Sequence, residues 1–204
     1  MIEVKVKDAA LREAAMQDMD AFLGVFINAT KEAIGGELNA ENMQQLSVAQ
    51  ITLLAYDILH EEVMDGGFVQ LIYNGYGGFI FDNPFAKVLR DWGLRDLAKM
   101  LFAVRKLYKE YGEKIQRECS DDEFMAMFEQ FPEFDDYDDE FVENEEDWTE
   151  AVARYVDEHI EEFVVIEKLK NKRVESAALG RQAVVSYARG VRLQDDYEQG
   201  TGTH

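Results

Sequence analysis

The feature of this sequence that most constrains its fold is a run of acidic residues with aromatic residues spaced between them. Residues 131–150, FPEFDDYDDEFVENEEDWTE, contain eleven Asp or Glu residues and no basic residue. A disordered acidic segment would be poor in aromatic side chains. Five rings nevertheless recur here at intervals of three to seven residues: Phe131, Phe134, Tyr137, Phe141 and Trp148. We therefore predict that these rings anchor the segment on a core and leave its carboxylates facing outward.

Negative charge is concentrated in one part of the chain. The formal net charge is −21, and residues 118–162 contribute −19 of it, from 20 acidic residues and the single base Arg154. A small domain needs a net charge of only about 2–8 to stay soluble, so this concentration of charge exceeds what solubility requires. Direct binding of nucleic acid is not predicted, because contacts to phosphate need a basic face. Residues 87–117, with nine bases and four acids, could pair with the acidic segment inside the chain or in another subunit.

Apolar residues recur with helical spacing along most of the chain. Helices are predicted from Asp8 to Gly35, from the capping box Ser47–Gln50 to Asp65, over 68–73, from Asn83 to Gly93, over 94–115, from Ser120 to Pro132, and again from about Trp148. Alternation of apolar and charged residues over 2–6 is typical of a short strand. The prediction is a mostly α, single-domain multi-helix bundle, with room for a small β element formed by the N-terminal strand and the C-terminal segment.

All residues, 1–204, are assigned to one domain with three parts. Residues 1–45 supply the N-terminal strand and helix, residues 46–163 the helical core that contains the acidic segment 118–162, and residues 164–204 a C-terminal extension with a predicted hairpin. The chain has no apolar run of the roughly 20 residues that a membrane span needs, and its first residues lack the apolar stretch of a secretory signal. With a single cysteine in addition, a cytoplasmic location is expected.

No group of residues forms a catalytic or metal-binding signature, so no catalytic residue, metal or cofactor is predicted. His60 lacks the second histidine of a zinc-protease helix. His159 and Glu162 have a helical spacing, but two ligands are too few for a metal site. Residues 136–140 resemble the start of a calcium loop, but Phe141 stands where that loop requires glycine.

The acidic segment allows several functional interpretations. Carboxylates on one face of a strand repeat every ~6.6 Å and i,i+4 neighbours on a helix stand ~6 Å apart, spacings similar to that of phosphates along a nucleic-acid strand. A rigid row of carboxylates would therefore present negative charges to a basic DNA-binding surface at the spacing of the phosphates that this surface binds. The alternatives are an acidic surface that serves only solubility or dimerisation, an immunity-type inhibitor of a basic toxin or nuclease, and a hydrolase or metal enzyme using acids near His60 or His159.

Three stretches of the chain resemble the motifs of a known family. EVMDGGFVQLIYN (62–74) is similar to the signature Glu-Val/Ile-x-x-Gly-Gly-Phe-x-Gln-x-x-x-Asn, and FDDYDDEF (134–141) and ARYVDEHIEEF (153–163) are similar to two further blocks in the expected order. The family is that of the DNA-mimic-protein-like proteins, and the resemblance covers residues 45–163. It implies an acidic, helical, dimeric protein that occupies the DNA-binding surface of a transcription factor.

The charge distribution and this resemblance together predict a non-enzymatic DNA mimic. The expected partners are a basic DNA-binding protein (a transcription factor or nucleoid protein) or a basic toxin, and a second copy of the chain, but neither nucleic acid nor a membrane. The residues predicted to contact the partner as phosphate mimics are Asp135, Asp136, Asp138, Asp139, Glu140, Glu143, Glu145, Glu146, Asp147, Asp157, Glu158, Glu161 and Glu162. Gly66, Gly67, Phe68, Gln70 and Asn74 match the first motif and are assigned to a turn and to core packing.

Overall fold

The computed structural model describes residues 1–167, and within them the chain is mostly helical, which confirms the predicted fold class. The helices are α1 (Asp8–Ala15), α2 (Met19–Ile34), α3 (Val48–Tyr73), α4 (Gly77–Phe81), α5 (Phe85–Asp91), α6 (Arg95–Ile115), α7 (Asp121–Gln130), α8 (Asp135–Glu158) and α9 (Ile160–Phe163). Two strands, β1 (Lys5–Lys7) and β2 (Val165–Glu167), and two short 3-10 helices, Asn42–Gln45 and Pro132–Phe134, accompany them. No helix in this part of the chain is both long enough and apolar enough to cross a bilayer.

The described part of the chain divides into two compact units, the first formed by Met1–Gln50 with residues 152–167, the second by Ile51–Ala151. In the first unit β1 and β2 pair in parallel, with Val6 opposite Ile166. This pairing confirms the small β element between the N-terminal strand and the C-terminal segment. The rest of the predicted C-terminal hairpin lies outside the described residues, and the assignment of the whole chain to a single domain stays a prediction.

The single helix predicted from Asp8 to Gly35 is wrong, because the structure has two helices there. The first ends at Ala15 and the second begins at Met19. Between them Asp18 caps α2, since its Oδ1 accepts a hydrogen bond of 2.7 Å from the backbone N–H of Ala21. Such a side chain satisfies a backbone donor at a helix start and favours a break over a continuous helix.

The first unit packs around the end of α9. The ring of Phe26 meets that of Phe163 edge-on, with centroids 6.1 Å apart. The carbonyl of Phe163 accepts a hydrogen bond of 2.6 Å from Gln50 Nε2, and that of Glu162 accepts one of 3.1 Å from Ser47 Oγ. Ser47 and Gln50 also bond each other's backbone N–H, which confirms the predicted capping box at the start of α3.

The second unit is organised around α6. The inner side of this helix is buried as predicted, and the ring of Tyr108 packs against Phe81 with centroids 5.2 Å apart. The capping box predicted at the start of α7 is confirmed by reciprocal bonds between Ser120 and Glu123. α3 is kinked at Gly66 and Gly67, whose φ/ψ values of −157°/26° and 69°/−174° are not helical. The predicted break in the first motif is therefore present.

The prediction that a helix resumes only near Trp148 is wrong, because α8 begins at Asp135 and is continuous through the acidic segment. Phe134, immediately before α8, and Phe141 and Trp148 within it follow one another at intervals of seven residues, and all three are buried. Acidic residues in the first turn interact favourably with the positive end of the helix dipole. Glutamate is also a good helix former, so mutual repulsion between the carboxylates does not prevent the helix.

Candidate functional site

One side of α8 and the turn before it are fixed by buried rings. Phe131, Phe134, Phe141 and Trp148 are buried, and Phe134 and Phe141 have no exposed surface. Phe141 meets Trp148 edge-on at a centroid distance of 5.4 Å and lies 6.2 Å from the ring of Phe68. The prediction that the rings anchor the acidic segment is therefore confirmed for these four; Tyr137 is half-buried.

The opposite side of α8 carries what we call the acidic face, seven carboxylate residues that are all exposed. They are Asp135, Asp136, Asp139, Glu140, Glu143, Glu146 and Asp147. Neighbours three and four residues apart on a helix stand ~6 Å from each other. The acidic face spans twelve residue steps, or about 18 Å of helix at 1.5 Å per residue.

The basic residues of 87–117 form their ion pairs away from the acidic face. Within residues 1–167, Lys109 Nζ lies 2.6 Å and Arg105 3.8 Å from Asp82 Oδ1, and Arg90 pairs with its neighbour Asp91. The ion pairs described for these three basic residues therefore do not involve the acidic face.

Asp138 differs from its neighbours because its carboxylate is turned toward the kink in α3. Its Oδ1 accepts a hydrogen bond of 2.8 Å from the backbone N–H of Phe68. At Gly67 a Cβ atom would overlap this carboxylate. Burial raises the pKa of Asp138 to about 6; the Phe68 N–H opposes this shift, and the charges of Asp135 and Asp139 add to it. The carboxylate of Asp138 is therefore part of the packing between α8 and the kink in α3.

Because of Asp138, the protein should lose stability between about pH 4 and pH 7. Its pKa of about 6 in the folded state lies above the ordinary value of 3.8. The folded state therefore holds this proton more tightly, and the resulting stabilisation is lost as the pH rises through 6. At 1.36 kcal/mol per pKa unit, the loss is about 2–3 kcal/mol. Urea unfolding of wild type and Asp138→Asn at both pH values measures it, since the two proteins share all other titrating groups. An equal pH dependence in both would contradict this assignment.

Two further polar contacts join α8 to α3 in antiparallel order. His60 Nε2 and Glu145 Oε2 are 2.9 Å apart, and the side chains of this pair are 29% and 22% exposed. Tyr56 and Thr149 share a buried hydrogen bond of 2.8 Å between their hydroxyl groups. With the bond from Phe68 to Asp138, these contacts form what we call the polar ladder. Glu145, like Asp138, is therefore on the anchored side of α8 and not on the acidic face.

The acids predicted from the third motif lie in the first unit. Glu158, Glu161 and Glu162 are exposed, whereas Asp157 is buried with 7% of its surface accessible. The Tyr155 hydroxyl donates a long hydrogen bond of 3.5 Å to Glu162 Oε2. The three exposed acids are accessible to a partner protein, whereas the buried Asp157 is not accessible in this conformation.

Comparison with known proteins assigns the family. A family model described as DMP19-like protein matches residues 44–159. The chain belongs to the DMP19-like protein family. One relative, the DNA mimic protein DMP19 of Neisseria meningitidis serogroup B, is 33% identical over 151 residues, which cover 74% of this chain and 91% of the relative. The resemblance identified from the three motifs is confirmed.

The first DMP19-like motif forms the kink and its surroundings. Phe68 is fully buried, in agreement with the prediction of core packing. Gln70 Nε2 donates a hydrogen bond of 2.8 Å to Asp65, and Asn74 Nδ2 donates one of 2.8 Å to Glu62. The amides of this motif thus bond acids one to three helical turns earlier, across the kink.

Neither histidine weighed as a metal ligand lies in a cluster of suitable groups. His159 stacks on Tyr155 with centroids 4.1 Å apart, and its Nδ1 lies 2.8 Å from the Tyr155 carbonyl oxygen. Across the described residues, no three His, Cys, Asp or Glu side chains are placed to hold a metal ion together.

Sequence reasoning missed the polar ladder in this DMP19-like chain. The sequence favours an ordinary structural or surface role for His60, and it does not single out Tyr56 or Thr149. A signal was present, because Asp138 and Glu145 are seven residues apart and fall between the buried rings at alternating intervals of four and three. Those intervals place them on the buried stripe of a helix, once the segment is recognised as helical.

Proposed function

We propose that this protein is a non-enzymatic DNA mimic whose acidic face occupies the basic nucleic-acid-binding surface of a regulatory protein. The observation that carries the proposal is the arrangement of seven exposed carboxylates along one side of a helix whose other side is anchored by buried rings. The relative named DNA mimic protein DMP19 supports the same role. The proposed partner is a transcription factor or nucleoid protein in the cytoplasm.

The charge density of the acidic face supports this role. Seven charges along about 18 Å of helix correspond to one charge per about 2.6 Å. Double-stranded DNA carries one negative charge per ≈ 1.7 Å of axis, and each of its strands one per ≈ 3.4 Å. The acidic face therefore lies between a single strand and a duplex in the density of negative charge that it offers to a basic surface.

Rigidity is the second requirement of a mimic. A flexible polyanion pays an ordering cost when it binds, whereas a helix anchored by rings holds its carboxylates in place before the partner arrives. The rings of Phe141 and Trp148, packed edge-on, provide that anchoring within the second unit.

Capture from native lysate on the immobilised full-length protein tests the proposal. We expect a basic DNA-binding protein to be retained at low salt and released in a narrow range of rising salt. Because several ion pairs are screened together, affinity should fall about a hundredfold or more between about 50 and 200 mM salt. Retention of a nuclease or toxin would instead favour the immunity-type inhibitor, and a salt-independent partner would contradict the proposed role.

A further inference from the structure

The polar ladder contains two of the acids that the sequence groups with the acidic face. Asp138 accepts from the Phe68 N–H at 2.8 Å and Glu145 lies 2.9 Å from His60 Nε2. Both fall on the same stripe of α8 as the buried rings, and Glu145 is only 22% exposed. Their neighbours Asp139 and Glu146 are exposed on the other side. Adjacent acids in the sequence thus have different surroundings.

We propose that Asp138 and Glu145 are positioning residues, which fix the rotation and translation of α8 so that the acidic face presents its carboxylates in a defined register. They anchor the helix through α3 and do not themselves contact the partner. The use of the register by a partner rests on the proposed function, whereas the anchoring is a property of this chain alone.

Directional bonds add something that the rings do not provide. Apolar burial is non-directional, so rings alone tolerate small rotations of the helix. Rotation by about 30° would move a carboxylate at ~6 Å from the helix axis by about 3 Å, half the spacing between neighbouring acids. Hydrogen bonds depend strongly on distance and angle. The two hydrogen-bonding positions are seven residues apart, which is about 10.5 Å along α8. Two hydrogen bonds at this separation restrict both the rotation of the helix and its sliding along its axis.

Apolar residues at positions 138 and 145 would not restrict the rotation and sliding of α8 in this way, because they form no hydrogen bonds. A partly buried carboxylate is costly to desolvate, and replacing buried polar groups by apolar ones of similar size is often neutral or stabilising. The polar choice at 138 and 145 is therefore not explained by stability. Buried polar contacts that specify register are the best-attested use of such groups, and the partners Phe68 and His60 lie on either side of the kink in α3.

Hydrogen exchange of α8 in the full-length protein tests the anchoring. Asp138→Asn and Asp138→Ala both remove the charge, but only Asn keeps an oxygen that accepts from the Phe68 N–H. We expect the amides of 139–148 to exchange about tenfold faster in the Ala variant than in the Asn variant, the factor expected for one hydrogen bond. Asp139→Asn and Asp139→Ala are the matched controls and should differ less than twofold.

A second pair of variants tests the anchoring independently if the Asp138→Ala protein does not fold. Glu145→Gln keeps an acceptor for His60 and Glu145→Ala does not, so the same difference in exchange is expected between them. Equal exchange rates within the Asn/Ala pair and within the Gln/Ala pair would overturn the assignment of Asp138 and Glu145 as positioning residues.

Titration with an oligolysine peptide shows which acids present charge. The double variant Asp139→Asn/Glu146→Gln should reduce the slope of log affinity against log salt concentration by about two, one for each ion pair that is lost. The double variant Asp138→Asn/Glu145→Gln removes the same charge and should leave the slope unchanged. Equal slopes for the two double variants would overturn the proposal. Neither readout uses the natural partner, so failure of the proposed function would not be confused with failure of the positioning role.

Discussion

Replacing Gly67 with alanine should destabilise the unit formed by Ile51–Ala151 by about 2–6 kcal/mol. The φ/ψ values of Gly67, 69° and −174°, fall in a region that is open almost only to glycine and costs other residues about 1–3 kcal/mol. A Cβ atom at this position would also overlap the carboxylate of Asp138. The two effects add, because relieving the overlap requires the loss of the bond between Asp138 and Phe68. Urea unfolding followed by circular dichroism measures the change.

Gly75→Ala is the matched control for this substitution. Gly75 also has a positive φ, 88°, but within residues 1–167 no atom beyond its chain neighbours lies within 4 Å of the position of its Cβ. This variant should therefore show backbone strain alone, about 1 kcal/mol. If Gly67→Ala costs no more than Gly75→Ala, the close approach of Asp138 to the kink is not a feature of the folded protein.

Local signals in the sequence were sufficient for much of the fold. The capping boxes at Ser47 and Ser120 and the glycine that ends α2 each satisfy helix-terminal groups with residues close by in sequence. Such contacts can be inferred from short stretches. The break at Asp18 was missed because the apolar spacing of α1 and α2 happens to be compatible with one helix, while the cap acts through a single side chain.

The candidate site was predicted only in part. The outward acids and the buried rings follow from composition and spacing, since acids favour water and rings favour burial. The roles of Asp138 and Glu145 depend on partners 70 and 85 residues away in the sequence. Contacts at that separation are set by how α3 and α8 pack, which a single sequence does not specify. Dimerisation and cytoplasmic location stay predictions.

Neutralising the acidic face should abolish partner capture without unfolding the protein. The variant replaces Asp135, Asp136, Asp139, Glu140 and Glu143 by Asn or Gln. Exposed ion pairs contribute about 0.2–1 kcal/mol each, so the loss of five of them weakens binding by about 1–5 kcal/mol, which is about fivefold to several thousandfold. Stability should change little, because the loss of favourable interactions with the helix dipole is offset by relief of repulsion.

A control variant with the same change in net charge separates local from global electrostatics. Exposed acids outside α8 supply it through amide substitution of Glu13, Asp20, Glu32, Glu41 and Glu61. If capture depended only on the total charge of the protein, the control and the acidic-face variant would bind equally weakly. We expect the control to retain wild-type capture to within a few-fold, because its substitutions leave all seven carboxylates of the acidic face in place.

The most direct test is the affinity of the captured partner for wild type, acidic-face variant and control, measured side by side at several salt concentrations. We expect a steep salt dependence for wild type and control, and weak binding with a shallow dependence for the acidic-face variant. Binding of the acidic-face variant with wild-type affinity and slope would show that these carboxylates do not stand in for phosphates.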